Sequence, residues 1–265
     1  MIDSILANIS ADYPWKDRIH WFDSIDSTNT RAKQLAAQGA PHGTVLIADS
    51  QTGGRGRLGR SFHSPSGNGI YLSVILRPNC HAKELMHLTC ATGVAMCDAV
   101  ESVCGIRPGI KWTNDLVFGK RKLGGILTEL SLDSSGNVSF AVVGIGINCT
   151  QKEADFPEDI RSIATSLQMQ TGIPVDRGHV IAAMLISLED MSQKLCDEKA
   201  QIMTQYRQDC ITVGQEISVV AGETVRHGTA VSVDDEGALL VRFPDGHTES
   251  VSSGEVSIRG MYGYI

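Results

Sequence analysis

Three strand-like runs follow one another closely between about residue 107 and residue 148. They are GIKW (109–112), LGGILTELS (123–131) and VSFAVVGIGIN (138–148), and the DSSGN segment (133–137) between the last two is typical of a hairpin turn. Parallel neighbours need a crossover of about a dozen residues, so strands with such short connections must pair antiparallel. The sequence therefore predicts an α+β fold with a mixed sheet, and a doubly wound parallel sheet is disfavoured.

The chain before and after this block adds further strands and helices. Strand-like runs occupy 18–25, 43–50 and 69–77, and a helical pattern occupies 27–39. Two longer helical patterns extend from about Ala82 to Cys104 and from about Asp176 to Arg207. The sheet is therefore expected to be largely antiparallel, with helices packed against it.

Beyond Cys210 the pattern changes to short β-like runs separated by turn signals such as DDEG and PDG. These signals recur at about the eight- to twelve-residue spacing of a small barrel or sandwich. We therefore predict two domains, a larger one over residues 1–208 and a small β domain over residues 209–265.

Composition and charge narrow the class of protein. The chain is 42% apolar but has no apolar run near the roughly 18 residues that a membrane helix needs, so no membrane association is expected. It has no signal-peptide pattern, which makes the cytoplasm the expected location. The formal charge of −7 disfavours DNA binding.

Seven cysteines without a CxxC pair argue against disulfides and zinc, and the spacing of Cys90, Cys97 and Cys104 favours core packing.

The segment from Gly53 to Arg60 holds four glycines and three arginines in eight positions, between two predicted strands. Glycine lets backbone amides turn toward an oxyanion, and arginine is a permanently charged, forked donor for carboxylate or phosphate. A solvated flexible loop is the alternative, but a structureless stretch of about fifteen residues in a compact domain is usually a lid or disordered. The segment does not match GxxxxGK[ST], and no strand-GxGxxG-helix unit surrounds it. We interpret it as an anion-binding lid.

A second polar cluster spans the junction of two predicted strands. Lys111, Asn114 and Asp115 lie in KWTND, and Lys122 precedes the pair Gly124–Gly125. By strand alternation alone Lys111 would face solvent, whereas glycine inside a strand favours the close approach of a ligand. This cluster is therefore a second candidate site.

Two further motifs are less specific. The segment Asp26–Asn29 (DSTN) is typical of a helix N-cap, and the N-terminus of a helix is also a site for an anion or polar ligand. The run GIGIN (144–148) indicates by itself only a turn.

The motifs DSTN, QTGGRGRLGR with SPSG, KWTNDL, RKLGGIL and GIGIN occur in this order along the chain. Together they resemble the biotin–protein ligases, and the resemblance extends from about Trp21 into the C-terminal β-rich module. It implies a catalytic domain of the kind found in class II aminoacyl-tRNA synthetases and biotin ligases, followed by a small SH3-like β-barrel.

The resemblance also implies an activity. Biotin and ATP, which brings Mg²⁺, would form biotinyl-5′-adenylate and pyrophosphate, and a lysine of a biotin carboxyl carrier protein would then take the biotin. Only about twenty residues precede the first catalytic strand, too few for the DNA-binding domain of repressor members, so the ligase-only type is expected. A homodimer is left open.

The site residues of the family carry over motif by motif. The expected biotin-binding residues are Ser27, Thr28, Asn29, Gln51, Arg55, Gly56, Arg57 and Lys122. The expected nucleotide-binding residues are Arg57, Lys111, Asn114 and Asn148, and the expected catalytic residues are Lys122, Arg57, Lys111 and Asp115. Lys122 would bridge the biotin carboxylate and the α-phosphate, because two anions at about 4 Å repel strongly in a partly desolvated site. Asp115 would orient a metal or help to deprotonate the acceptor lysine, or it is a turn aspartate.

Two positions depart from the pattern of the family. Thr113 stands where many relatives have proline, and Phe62 stands where a tryptophan is common. Two other functions are also open. A lipoate–protein ligase would share the fold and the adenylate strategy but not the GRGRxGR loop. A noncatalytic sensor of biotin or its adenylate would not need to retain Lys122 and the loop arginines.

Overall fold

The structure, a computed structural model, describes residues 1–221, 224–252 and 255–258. The helices of this part are α1 (Ile2–Ala7), α2 (Thr28–Ala37), α3 (Leu88–Cys104), α4 (Glu158–Arg161), α5 (Leu167–Thr171), α6 (Arg177–Lys194) and α7 (Lys199–Asp209). The strands of the larger sheet are β1 (Ile19–Phe22), β2 (Thr44–Ala48), β3 (Gly69–Leu76), β4 (Gly109–Lys111), β5 (Asp115–Phe118), β6 (Arg121–Leu132) and β7 (Val138–Asn148). Those of the smaller sheet are β8 (Glu216–Ala221), β9 (Thr224–Val233), β10 (Leu239–Arg242), β11 (Thr248–Val251) and β12 (Glu255–Ile258). No helix of the described ranges is long and apolar enough to cross a membrane.

The larger sheet has the strand order β1-β2-β3-β7-β6-β5-β4. β1 and β2 pair parallel, and the other neighbouring strands pair antiparallel. The long β6–β7 hairpin turns at 133–136, where the Gly136 N–H donates to the Asp133 carbonyl and Gly136 has a φ of 83°. The prediction of an α+β fold with a mixed, largely antiparallel sheet is confirmed.

Helices cover the two faces of this sheet differently. On one face α3 and α6 pack against each other and over a large apolar core that includes Val74 of β3. On the other face α2 packs through a small cluster that includes Ala32 and Ile75. Successive strand residues point to opposite faces, so neighbouring Val74 and Ile75 bury on the two sides. The rest of the second face, beyond α2, carries the cavity described below.

The cysteines of α3 lie in the main core. Cys90 and Cys97 are buried, Cys104 is half-buried against the same core, and all seven cysteines of the chain are free thiols. Burial raises the pKa of the Cys90 thiol to about 12. The expectation of core packing is confirmed for this group.

Both long helical patterns contain a break. The first is a 3₁₀ turn (Ala82–Leu85) followed by α3, because Nδ1 of His81 accepts from the Lys83 N–H and the Glu84 carboxylate accepts from the His81 N–H, which closes a separate turn. The second divides into α6 and α7 around Leu195. The carbonyl of Leu195 bonds Nε2 of buried His87 at 2.9 Å instead of continuing the helix.

The predicted strand at 109–112 ends one residue early, and a short strand follows it. β5 pairs with β4 on one side and with β6 on the other. Between β4 and β5, Trp112 and Thr113 are joined by a cis peptide bond. The KWTND motif is therefore a tight turn between two neighbouring strands.

The smaller sheet is antiparallel, with the order β11-β10-β9-β8-β12, and it confirms the small C-terminal β module. It is joined to the larger part through Trp112, whose Nε1 donates to the Gly237 carbonyl at 2.8 Å and whose backbone N–H donates to Oγ1 of Thr212 at 2.9 Å. Residue 208 lies in the last turn of α7. The boundary there stays a prediction, and residues 222–223, 253–254 and 259–265 of the predicted module lie outside the described residues.

Candidate active site

A cavity of about 200 Å³ opens on the sheet face beside α2. The predicted site residues that line it are Ser27, Thr28, Asn29, Gln51, Arg55, Gly56, Arg57, Lys111, Asn114, Asp115 and Lys122. The other lining residues are Leu58, Arg60, Ser61, Phe62, Trp112, Gly125, Ile126, Leu127, Gly144, Ile145, Gly146, Val220 and Val256. Five separate motifs thus meet in one place, and Val220 and Val256 of the smaller sheet also line the cavity.

The N-terminus of α2 forms one end of the cavity. Ser27 caps the helix, since its Oγ accepts from the Thr30 N–H at 3.4 Å. The N–H and Oγ1 of Thr28 both donate to Oε1 of Gln51, at 2.9 and 3.1 Å, and Nε2 of Gln51 donates to Oγ of Ser64 at 3.1 Å. The DSTN segment and Gln51, two residues before the loop, are therefore one hydrogen-bonded unit.

Asn29 is buried in this polar end. Oγ of Ser73 on β3 lies 2.6 Å from Oδ1 of Asn29 and 2.8 Å from Oγ1 of Thr28. A Cβ on Gly144 would lie 1.9 Å from Oδ1 of Asn29, so only glycine lets α2 approach β7 this closely. The GIGIN motif, which the sequence indicated only as a turn, is thus part of the cavity floor.

The glycine/arginine loop folds over the cavity with its own hydrogen bonds. Gly56 N–H donates to the Arg60 carbonyl at 2.7 Å, and Phe62 N–H donates to the Gly54 carbonyl at 2.9 Å. NH1 of Arg57 reaches across to Oγ1 of Thr113 at 3.0 Å and to Oδ1 of Asn114 at 2.9 Å. The loop is therefore tied to the KWTND turn, as a closed lid would be.

The two lysines approach from the strands. Nζ of Lys122 lies 2.7 Å from Oδ1 of Asp115, and the Lys122 side chain is 36% exposed. Lys111, at the end of β4, is only 9% exposed. The Lys122 N–H also donates to the Ile163 carbonyl at 2.7 Å, so the backbone that carries this lysine is held on both sides.

The lining is strongly basic. Arg55, Arg57, Arg60, Lys111 and Lys122 face it, against the single carboxylate of Asp115. Such a surplus favours the binding of anions and stabilises negative charge that develops between them. In the described ranges no group of three or more His, Cys, Asp or Glu side chains could hold a metal ion.

Asn148 is the one predicted site residue that does not line the cavity. It is buried at the end of β7, where its Nδ2 donates to the Thr165 carbonyl at 3.0 Å and its Oδ1 accepts from Nε2 of Gln151 at 3.4 Å. In this structure its amide holds the segment after β7. Its contact with a nucleotide stays a prediction.

Ser73, Glu129 and Tyr71 support the site but were not singled out from the sequence. Ser73 and Glu129 are hydrogen-bonded to the side-chain amide of Asn29, and a Cβ on Gly146 would lie 2.6 Å from Cε1 of the Phe62 ring. Phe62 also meets Tyr71 edge-on, with 6.3 Å between the ring centres. The sequence does contain one indication of this part of the cavity floor, because Gly146 is a glycine inside a predicted strand, and such a glycine often marks the close approach of another group.

Comparison with known proteins places the chain in a family. Residues 21–148 match the Biotin/lipoate A/B protein ligase family, and residues 212–259 match the Biotin protein ligase C terminal domain. The chain is 36% identical to the bifunctional ligase/repressor BirA of Bacillus spizizenii over 225 residues, which cover 84% of this chain and 69% of that protein. It is 34% identical to the biotin–[acetyl-CoA-carboxylase] ligase of Mycobacterium tuberculosis over 87% of this chain and 85% of that one.

A solved structure gives the same result. The biotin protein ligase of Aquifex aeolicus, in complex with biotin and ATP, superimposes with a TM-score of 0.77 at 34% identity and covers 91% of this chain and 98% of its own. Both parts of the chain, the large mixed sheet and the small β module, are thus shared with biotin ligases. By its sequence, its fold and the cavity that its motifs build, this chain belongs to the biotin protein ligase family.

Proposed function

We propose that the chain is an ATP-dependent biotin–protein ligase that makes biotinyl-5′-adenylate and transfers biotin to a lysine of a biotin carboxyl carrier protein. One observation carries the proposal: a single cavity joins a polar pocket at the N-terminus of α2 to a cluster of loop and strand cations. A buried pocket with a few aimed polar groups suits the ureido ring of biotin. The cations suit its carboxylate and the phosphates of ATP.

The ureido ring is assigned to the end of the cavity formed by Ser27, Thr28, Asn29 and Gln51. Thr28 is hydrogen-bonded to Gln51, Ser73 is hydrogen-bonded to Thr28 and Asn29, and Ser27 caps α2 through the Thr30 N–H, so these side chains are already ordered. A pre-formed set of donors and acceptors lowers the entropy that binding must overcome. This supports recognition of one small polar ring.

The carboxylate and the α-phosphate are assigned to the cationic end. A carboxylate oxygen attacks the α-phosphorus, the bond from that phosphorus to the bridging oxygen breaks, and pyrophosphate leaves. Lys122 bridges the two anions and stabilises the charge between them, while Arg55, Gly56 and Arg57 close over them from the lid. Lys111 and Asn114 contact the phosphate side, where Mg²⁺ arrives with ATP.

Transfer then occurs in the same cavity. The amine of the carrier lysine attacks the biotinyl carbonyl carbon, the bond from that carbon to the phosphate oxygen breaks, AMP leaves, and the new amide nitrogen loses a proton. The carboxylate of Asp115 is our candidate for accepting this proton or for orienting the metal. The small β module, close to the cavity through Val220 and Val256, is a candidate for docking the carrier.

Pyrophosphate release from ATP tests the proposal. The purified chain should release pyrophosphate with biotin but not with lipoate, and it should then biotinylate a carrier domain that keeps its acceptor lysine. Release with lipoate alone would indicate a lipoate–protein ligase. Biotin binding without any release would indicate a sensor.

A further inference from the structure

Glu129 joins three parts of the site although it does not line the cavity. It lies on β6, and its side chain is 20% exposed. Its Oε2 accepts from Nδ2 of Asn29 at 3.1 Å, and its Oε1 accepts from Nζ of Lys33 at 3.0 Å and lies 3.6 Å from NH1 of Arg55. One carboxylate therefore connects β6, α2 and the glycine/arginine loop.

The contact with Glu129 completes the orientation of the Asn29 amide. The two protons of its nitrogen go to Glu129 and to the Leu127 carbonyl, at 3.1 and 3.3 Å, and its oxygen accepts from Oγ of Ser73 at 2.6 Å. An amide oxygen accepts two hydrogen bonds, so one acceptor position is left on Oδ1. Asn29 is buried and lines the cavity, as does Gly144 next to that oxygen. The position suits the N–H of a neutral ring.

The charge of Glu129 is balanced by its partners. Burial raises the pKa of this carboxyl, but hydrogen bonds from Lys33 and Asn29 and the charge of Arg55 outweigh that effect and hold the pKa below its usual value. The group is therefore an ionised acceptor at neutral pH. A neutralised carboxylate can lie beside an anion site without repelling its ligands.

We propose that Glu129 is a positioning residue with two tasks. It holds Asn29 in the orientation that accepts a ligand N–H, and it tethers Arg55, and with it the loop from Gly53 to Arg60, to α2 and β6. The first task rests on the proposed function, because it concerns the ureido N–H of biotin. The second concerns the protein alone.

Two substitutions separate the tasks. Glu129→Met keeps the length of the side chain but removes every acceptor, whereas Glu129→Gln keeps an oxygen for Asn29 and loses the charge that holds Arg55. Loss of a hydrogen bond to a charged group typically lowers affinity about tenfold. We expect E129M to raise the KM for biotin about tenfold, while its kcat and its KM for ATP stay within about twofold of wild type. E129Q should raise the KM for biotin less than E129M does.

Lys33→Ala is the matched control. It removes an ion pair on the same Oε1 atom but leaves the contacts of Glu129 with Asn29 and Arg55. Its KM for biotin should stay within about twofold of wild type, because an exposed ion pair contributes little. Thermal melting of all three variants shows whether each is folded.

The tether is measured without any ligand, by the rate at which trypsin cuts after Arg55 and Arg57. We expect both Glu129 variants to be cut about twofold faster than wild type and K33A, because the ion pair of Glu129 with the half-exposed Arg55 contributes modestly and cleavage follows the population of the open loop. Unchanged cleavage in both variants overturns the tether. A wild-type KM for biotin in E129M overturns the orientation of Asn29. A wild-type chain that releases no pyrophosphate with biotin refutes the proposed function and the first task with it, while the cleavage rates still decide the second.

Discussion

Nζ of Lys122 lies 2.7 Å from Oδ1 of Asp115, and both side chains line the cavity. An ammonium group has three N–H donors, and Asp115 takes one of them. The other two can each reach an anion, which is what a lysine needs in order to bridge a carboxylate and a phosphate. Asp115 therefore aims Lys122 without using up its capacity as a donor.

Lys122→Ala should lower the rate of biotin-dependent pyrophosphate release about 10²- to 10³-fold, the usual loss when one positioned donor for developing charge is removed. Single-turnover release measures the chemical step directly. Lys120→Ala is the matched control, because Lys120 is exposed in the same β5–β6 turn and does not line the cavity. Its rate should stay within about twofold of wild type. A Lys122→Ala chain as fast as wild type would falsify the bridging role.

Gly144→Ala should destabilise the chain by about 1–3 kcal/mol, because the new Cβ would lie 1.9 Å from Oδ1 of Asn29 and α2 would have to shift. Gly125→Ala tests the physical reason. It adds the same methyl group to the neighbouring strand, where the nearest atoms lie at 3.5 Å, an ordinary contact distance. Urea denaturation should give a smaller loss for Gly125→Ala, and equal losses would show that the contact with Asn29 is not the cause.

The sequence could predict that two motifs lie together where a short turn joins the strands that carry them. β5 and β6 are joined by Gly119 and Lys120, and their register places Asp115 opposite Gly125. Because this connection is so short, the two strands must pair, and KWTND and RKLGG therefore lie side by side. The resemblance to biotin–protein ligases added the DSTN motif and the loop to the same site, and both line the cavity.

The remaining features depend on contacts that sequence patterns do not contain. Glu129 in an alternating strand is typical of a solvent-facing position, and its partner Asn29 lies 100 residues away. Gly144 is required only because β7 pairs with β3, which brings it opposite Ser73 and beneath α2. The partners and the required residue types at such positions depend on the order of the strands and on how closely a helix packs against them. The break at Leu195 has the same origin, because the partner of its carbonyl is His87 on another element.

Asp49, which follows β2, bonds to residues on the far side of the glycine/arginine loop and should make the stability of the chain depend on pH. Its Oδ1 accepts from NH2 of Arg177 at 2.9 Å, and its Oδ2 accepts from the Gly67 N–H at 3.0 Å and from Oγ of Ser66. Burial raises the pKa of Asp49, but the bonds from Ser66 and Arg177 outweigh it and lower the pKa below 3.8. The contribution of Asp49 to stability is therefore complete above the unfolded value and is lost as the pH falls through the lower folded value.

Asp49→Asn should cost about 2–3 kcal/mol at pH 7, because it removes a charged acceptor and leaves the guanidinium of Arg177, only 8% exposed, without its carboxylate. The difference from wild type should shrink as the pH falls below 3.8. Thermal melting between neutral and acid pH measures both effects. Asp159→Asn, at an exposed position on α4, should melt like wild type throughout. A loss that does not change with pH would contradict the ion-pair explanation.

Thr113, one of the two departures from the family pattern, supplies a hydroxyl acceptor to the lid. Its Oγ1 lies 3.0 Å from NH1 of Arg57, and its carbonyl accepts from the hydroxyl of Tyr206 at 3.1 Å, which fixes the turn that presents it. Thr113→Val removes the acceptor and keeps the shape of the side chain. Asn114 still binds the same guanidinium nitrogen, so the lid should loosen without opening fully.

The expected result for Thr113→Val is that trypsin cuts after Arg57 about two- to threefold faster than in wild type without ligand, as the loss of one modest hydrogen bond implies. Biotin and ATP together should slow cleavage in both proteins, because their contacts offset the entropy of ordering residues 51–66. Thr52→Val, also at the edge of the loop but exposed, should be cut at the wild-type rate. If Thr113→Val is cut no faster than Thr52→Val, the hydroxyl contributes nothing to closure, and Asn114 alone holds Arg57 across the cavity.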